Sequence, residues 1–309
     1  MITPRTEALA RRLANVQVIP ATAFDASGGV ALETMQRHWE QLVEAGIRVF
    51  VPGAGSAEFH SLTDEELLAV IRAARRTLGD SITLVAPIGR ALKSAQRLAA
   101  ECLEAGADAL LVMPLDFPYL SDTGARRYYE ALLDSVEAPL LIYKKDDIPS
   151  HDLLLALSDH PWLVGVKYAQ PDVAGFQRIV EQDAGRSAWY CGLAERYAPY
   201  FHLAGAASYT SGAGNICPRI TLKLFQALLE GNWNEALRWQ RALLPIEYHR
   251  AQEKNSYNVT TLKYALRHLG LDFGPPRPPQ RCLTDSEIAK LDELLDPILK
   301  LEKELAAQV

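Results

Sequence analysis

Short apolar runs alternate with longer amphipathic segments through the first two-thirds of the chain. Eight of the runs read as strands: VQVIPA (16–21), RVFVPG (48–53), TLVAPIG (83–89), ALLVMP (109–114), PLLIYK (139–144), LVGVKY (163–168), AWYCG (188–192) and AASYTSG (206–212). Between them, segments such as LETMQRHWEQLVEAG, LTDEELLAVIRAARRTLG and LKSAQRLAAECLEAGA carry a helical pattern. The tripeptide EAG recurs at Glu44–Gly46 and Glu104–Gly106, each time just before a strand, where glycine suits a helix C-terminal cap.

Strands alternating with helices imply right-handed βαβ units and a parallel sheet. Eight such units predict an α/β fold of the (β/α)8 TIM barrel type rather than an open doubly wound sheet. An open sheet binding a dinucleotide would show GxGxxG after its first strand, and VIPATAFDASGG does not supply it. Beyond residue 218 the strand signals stop. TLKLFQALLEGNWNEALRWQRALLPIEYHR, TTLKYALRHLG and TDSEIAKLDELLDPILKLEKEL read as helices, and GPPRPP (274–279) as a stiff, non-helical connector before the last of them. The expected division is a barrel core over residues 1–217, carrying the active site. Residues 218–309 would then hold the last barrel helix and a C-terminal helical bundle.

The length of 309 residues fits one such barrel with its extension. A net charge of −6 without runs of like charge argues against nucleic acid as a partner. No apolar run is long enough to cross a bilayer, and MITPRTEALARRLANVQ lacks the apolar core of a signal peptide. A cytoplasmic protein is expected, without a membrane partner. The four cysteines (Cys102, Cys191, Cys217 and Cys282) form no CxxC pair, and the seven histidines form no HExxH. Reduced thiols, no metal and no cofactor follow as expectations.

In a barrel, chemistry sits at the C-terminal ends of the strands and the loops that follow. Side chains alternate between faces, so Ile142, Val164 and Val166 packing against helices would turn Tyr143 and Lys167 inward, near the mouth on neighbouring strands. Gly165, lacking a side chain, would leave space beneath the amine. An ordinary lysine is neutral to only about one part in 2,500 at pH 7. Apolar walls disfavour its charged form and free the amine to condense with a ketone. The resulting protonated imine draws electrons from the neighbouring carbon, and a phenol such as Tyr143 can relay protons. The alternative, left open by the residues alone, is a lysine leading into a solvent-exposed loop beside a core tyrosine.

Two further stretches are candidates. In GAGSAEFHSLTDEE (53–66), glycines let backbone N–H groups approach an anion and Ser56 adds a hydroxyl, though a simple turn explains them equally. Thr63 and Glu66 have capping-box spacing, which accounts for the second half as helix initiation. AASYTSGAGNICP (206–218) is small and polar enough to line a carboxylate site, or else is a strand-to-helix turn with Pro218 in the first helical turn.

Together, IPATAFD, PGAGSAEFHSLTDEE, LVAPIG, LLVMPLDFPYLSDTG, LLIYK, VGVKYAQPD and GAASYTSGAGNICP resemble, in order and spacing, the family of dihydrodipicolinate synthase and N-acetylneuraminate lyase. The resemblance covers most of the chain and implies a Schiff-base-forming barrel enzyme acting on a small-molecule 2-keto acid, assembled as a homotetramer. By position it makes Lys167 the imine-forming lysine and Tyr143 the proton-relaying tyrosine. Ser56 becomes the hydroxyl of the loop that binds the keto-acid carboxylate, with Gly55 and Ala57 beside it. Gly192 and Thr210 fall on positions lining the site, and Phe117 or Tyr119 on the aromatic that crosses to a neighbouring subunit. Lysine-pathway synthases usually carry two threonines where this chain has Gly55 and Ser56, a glycine at Ala57, and Asn, an apolar residue and Pro after the tyrosine. YKKD, with Lys145 two residues past Tyr143, looks closer to the 5-dehydro-4-deoxyglucarate dehydratase-like branch. The expected function is therefore dehydration or aldol cleavage of a 2-keto-3-deoxy sugar acid. The alternatives are a pyruvate-dependent aldol enzyme, such as dihydrodipicolinate synthase or N-acetylneuraminate lyase, and a keto-acid-binding barrel without turnover.

Overall fold

The structure, a computed structural model, describes residues 4–308. Eight parallel strands close into a barrel in sequence order, β1 pairing with both β2 and β8. They are β1 (Gln17–Val18), β2 (Val49–Phe50), β3 (Thr83–Ile88), β4 (Ala109–Val112), β5 (Leu140–Lys144), β6 (Leu163–Tyr168), β7 (Ala188–Cys191) and β8 (Ser208–Ser211). Each lies inside one of the eight runs read as strands. β1 and β2 are short, and prolines follow closely in both (Pro20 and Pro52), so the ladder loses its N–H donor there.

A helix follows every strand, from Leu32–Glu44 after β1 to Pro218–Leu229 after β8. Gly46 and Gly106 end their helices at φ of 108° and 100°, a conformation that glycine adopts without steric cost. Thr63 and Glu66 form the capping box that opens helix Asp64–Leu78, and Pro218 occupies the first turn of its helix. Helices Trp233–Arg250, Asn258–Leu266 and Asp285–Ala306 come after the barrel, joined by a non-helical stretch containing 274–279. An N-terminal helix, Pro4–Leu13, stands outside the βα alternation and was not apparent from the pattern. Its Leu9 and Leu13 are buried, and Arg12 reaches Asp108 (3.3 Å) and the Ile82 carbonyl (3.4 Å), at the N-terminal ends of β4 and β3. This helix therefore covers the barrel end opposite the loops that carry chemistry.

The outer face of β6 is fixed by aromatic packing. Tyr168 lies 5.2 Å from Phe176 and 6.1 Å from Phe201, centroid to centroid, and Phe176 lies 6.1 Å from Trp189 of β7. With Tyr168 held outward against helices Val173–Asp183 and Ala194–Leu203, strand alternation turns Lys167 inward. Phe176, fully buried at the centre of this cluster, sets the seating of the lysine strand. Phe176→Ala is expected to cost about 3–5 kcal/mol, read as a lowered urea midpoint with little change in the denaturant slope.

Candidate active site

β5 and β6 run in a register that sets Tyr143 directly beside Lys167. Lys167 Nζ lies 3.9 Å from the centroid of the Tyr143 ring, a cation–π distance. The lysine is 2% exposed, and among the described residues no carboxylate pairs with it. Burial pushes its amine down from the ordinary lysine range to about 7, opposed only by Cys191. The Tyr143 phenol moves the other way, to about 12, through burial and then the negative charge of Asp146. At neutral pH this pairs an amine that is substantially free with a phenol that keeps its proton.

The space beneath the amine is not empty, contrary to the expectation for Gly165. A Cβ there would meet the Ala188 carbonyl oxygen at 2.4 Å and the Tyr190 ring at 2.8 Å. Tyr190 pairs with Lys167 across β6 and β7 and is fully buried. Glycine at 165 thus admits the Tyr190 ring where a side chain would otherwise stand. Gly192 works similarly from the side. A Cβ at this position would lie 2.8 Å from Ala169 Cβ and 3.1 Å from Lys167 Cγ. Thr210, on β8, is buried, with its hydroxyl 3.5 Å from the Cys191 carbonyl.

Ser56 lies in the short 3-10 turn Gly55–Ala57 after β2, on the same end of the barrel. Ala57 N–H donates to the Ala54 carbonyl at 2.7 Å, and Glu58 N–H to the Gly55 carbonyl at 3.0 Å. The N–H groups of Gly55 and Ser56 donate to no group among the described residues, and both residues are partly exposed. Nothing lies within 4 Å of where a Gly55 Cβ would be. The turn therefore offers two free N–H donors and a hydroxyl to an anion, with open space beside them. Thr22, absent from the sequence reading, steadies it by donating its hydroxyl to the Ala57 carbonyl at 2.6 Å.

The two lysines after Tyr143 separate sharply. Lys144 is buried and donates to the carbonyls of Asp146 (2.8 Å), Asp147 (3.2 Å) and Pro149 (2.8 Å), so it holds the turn. Lys145 is exposed, and with Arg90 and Asp116 it acts electrostatically on His60 of the β2 loop. Phe117 and Tyr119 also differ. Phe117 is 43% exposed and packs on Tyr128 at 6.2 Å, whereas Tyr119 is 98% exposed. Asn215, in the AASYTSGAGNICP stretch, is fully buried and ties β8 to β1 through Ala21 N–H (2.9 Å) and the Ile19 carbonyl (2.9 Å). Its place among small polar residues was the available signal. All four cysteines are free thiols, three of them buried.

A closed parallel (β/α)8 barrel with a desolvated lysine at the C-terminal end of β6 defines a class of barrel enzyme. The family model described as "Dihydrodipicolinate synthetase family" matches residues 12–298, and the chain belongs to that family. A probable 5-dehydro-4-deoxyglucarate dehydratase of Streptomyces griseus is 30% identical over 94% of this chain and 93% of its own. The 4-hydroxy-tetrahydrodipicolinate synthase 1 of Streptomyces coelicolor is 30% identical over 84% of this chain and 86% of its own. Among solved structures, dihydrodipicolinate synthase from Oceanobacillus iheyensis superposes with a TM-score of 0.91 at 32% identity, over 94% of this chain and 98% of that one. The protein is accordingly an enzyme of this family of lyases. No helix among the described residues is long and apolar enough to cross a membrane.

Two outcomes follow from the lysine's burial. Labelling of Lys167 by an amine-acylating reagent, followed by mass spectrometry, should rise with pH through a midpoint near 7; a midpoint near 10 would contradict the desolvated amine. Between that value and the ordinary ~10.4 the unfolded chain binds a proton that the folded chain does not, so stability rises with pH across this window. Lys167→Met should therefore melt above the wild type at pH 7, with the gap shrinking as pH approaches 10.

Proposed function

We propose that this protein is a Schiff-base lyase of 2-keto acids, acting as a dehydratase on a 2-keto-3-deoxy sugar acid. The observation that carries the reading is the buried amine of Lys167, free of any carboxylate partner and set against Tyr143. The C1 carboxylate of the substrate would rest on the free N–H groups of Gly55 and Ser56 and on the Ser56 hydroxyl. Lys167 then attacks the C2 carbonyl, and Tyr143 delivers the proton with which the C2 oxygen leaves as water. The iminium acidifies the C3 hydrogen, and the Tyr143 phenolate takes it. The enamine so formed expels the C4 hydroxyl with a proton, and water at C2 releases the product and frees the lysine.

The preference for a sugar acid over pyruvate rests on three features. Gly55 leaves open the space that a larger side chain would fill. Lys145 is exposed and acts electrostatically on His60 of the β2 loop, and in this reading it would meet the distal carboxylate. Several relatives carry the name of probable 5-dehydro-4-deoxyglucarate dehydratase. The second reading, aldol addition with pyruvate as in dihydrodipicolinate synthase, keeps the same lysine and has relatives at similar identity. Thr210 and Gly192 line the site in either reading. We also propose a homotetramer in which Tyr119 enters a neighbouring copy, because Tyr119 has no packing of its own while Phe117 leans on Tyr128.

Incubation with 5-dehydro-4-deoxyglucarate or pyruvate, followed by borohydride reduction, is expected to add to Lys167 the mass of one keto acid less one oxygen (water lost on imine formation, two hydrogens gained on reduction), and nothing in Lys167→Ala. An adduct that persists in Lys167→Ala would sink the assignment. Tyr143→Phe should still form the adduct, slowly, with turnover of the sugar acid reduced ~10²–10⁴-fold, the usual contribution of a positioned acid–base group. Cyclised product from pyruvate and aspartate semialdehyde, with no consumption of the sugar acid, would transfer the assignment to the synthase reading.

A further inference from the structure

The connector at 274–279 does more than join two helices. Glu58, which directly follows the Gly55–Ala57 turn, sits in the left-handed region at φ 65° and ψ 41°, a strained conformation for a non-glycine residue. Its side chain is fully buried. Oε1 accepts from Lys263 Nζ at 2.7 Å and Oε2 from the Arg277 backbone N–H at 2.9 Å. Lys263, on helix Asn258–Leu266, also donates to the Pro275 carbonyl at 3.1 Å. The Arg277 guanidinium bonds both oxygens of Glu66 (2.7 and 2.5 Å), the Ser61 carbonyl (2.7 Å) and the Gly28 carbonyl (2.5 Å). The Phe24 ring contacts both cations, its centre 4.1 Å from Lys263 Nζ and 4.2 Å from the Arg277 guanidinium carbon. Gly274 lets the strap pass, since a Cβ there would meet the Phe24 carbonyl oxygen at 2.1 Å.

We infer that Glu58, Lys263 and Arg277 are positioning residues that set the Gly55–Ser56 N–H groups for the substrate carboxylate. This inference rests on the proposed carboxylate role of that turn. A three-residue turn has no helix length to stiffen it. Its direction depends on the residue that ends it, and that residue is pinned by a buried ion pair to a segment some two hundred residues away. A buried pair with good geometry contributes more to fixing a conformation than to net stability. The Glu66 capping box adds a second hold, because the carboxylate that caps helix Asp64–Leu78 is also the one gripped by Arg277. The strap thus holds the β2 loop where its 3-10 turn ends, at Glu58, and again where the next helix begins, at Glu66, and carboxylate recognition depends on residues that never reach the substrate.

The test compares two ketones, pyruvate with a carboxylate and hydroxyacetone without one, each trapped on the protein by borohydride over a range of concentrations and weighed. In Glu58→Gln and Arg277→Ala, the half-saturating pyruvate concentration is expected to rise ~10–100-fold, the scale of loss when a positioned group shifts by about an ångström. Labelling at saturating pyruvate should be retained and the hydroxyacetone curve unmoved. Arg277→Lys should fall between Arg277→Ala and wild type. If Glu58→Gln or Lys263→Met alone proves insoluble, the double variant Glu58→Gln/Lys263→Met removes the charge pair together and is read in the same way. An unchanged pyruvate curve, or equal shifts for both ketones, overturns the inference. A wild-type protein that labels with hydroxyacetone but no better with pyruvate removes the carboxylate reading on which it rests. One that labels with neither ketone nor any keto acid removes the Schiff-base reading itself.

Discussion

A primary amine held out of water, with no counter-ion among the described residues, is the constraint on which this structure turns. Lys167 is walled by Tyr143 on one side, Gly192 on another and the Tyr190 ring beneath, and burial alone brings its amine to about 7. At neutral pH roughly half the molecules then carry a free amine, against about one in 2,500 for an ordinary lysine. Holding it there costs the fold on the order of a few kcal/mol, a sizeable fraction of the net stability of a typical domain. Closed-barrel packing on both faces of β6 offsets that cost, with Tyr168, Phe176 and Phe201 fixing the outer face.

Electrostatic roles are divided among the lysines by what surrounds each. Lys144 has three carbonyl acceptors and holds a turn, Lys263 has a buried glutamate and holds a loop, and Lys167 has neither. Burial lowers all three; carboxylates oppose the shift at Lys144 (Asp147 first) and at Lys263 (Glu58), and none does at Lys167. Burial alone therefore does not set Lys167 apart from the other two; the absence of a carboxylate or carbonyl partner among the described residues does. A second buried group lies behind β8, where Glu195 accepts from the Thr221 hydroxyl at 2.6 Å and from Ser211. Burial and then the neighbouring Glu247 push its carboxyl up to about 7, and its contacts tie the ends of β7 and β8 to the helices outside them.

The β2 loop, the proposed carboxylate site, is held in shape from outside its own short turn. Its free N–H groups arise because a short 3-10 turn leaves its first donors unused, and Thr22 and Glu58 stop the turn from relaxing to satisfy them. The helices after the barrel contribute to that arrangement through Lys263 and the 274–279 strap. The extension and the barrel mouth are in this respect one mechanical unit.

Much of this was legible in the sequence because the signals are local. Eight apolar runs, glycine caps at Gly46 and Gly106 and the Thr63–Glu66 box specify strands and helix ends through periodicity and backbone conformation, which depend on neighbours a few residues away. Strand alternation also turned Tyr143 and Lys167 to one face, and the order of motifs pointed to the family. Other features had no local signal: the Tyr190 floor under Lys167, the opposite fates of Lys144 and Lys145, and the grip of Lys263 and Arg277 on Glu58. Each joins segments that meet only when the barrel closes, and Gly165 shows the consequence, since a missing side chain reads as space until the neighbouring strand fills it. The sequence by itself determined which elements form and which residues face inward, because those follow from period and backbone. Tertiary structure alone decided which buried charge is paired and which is left free, because desolvation and pairing depend on distances that no spacing along the chain encodes.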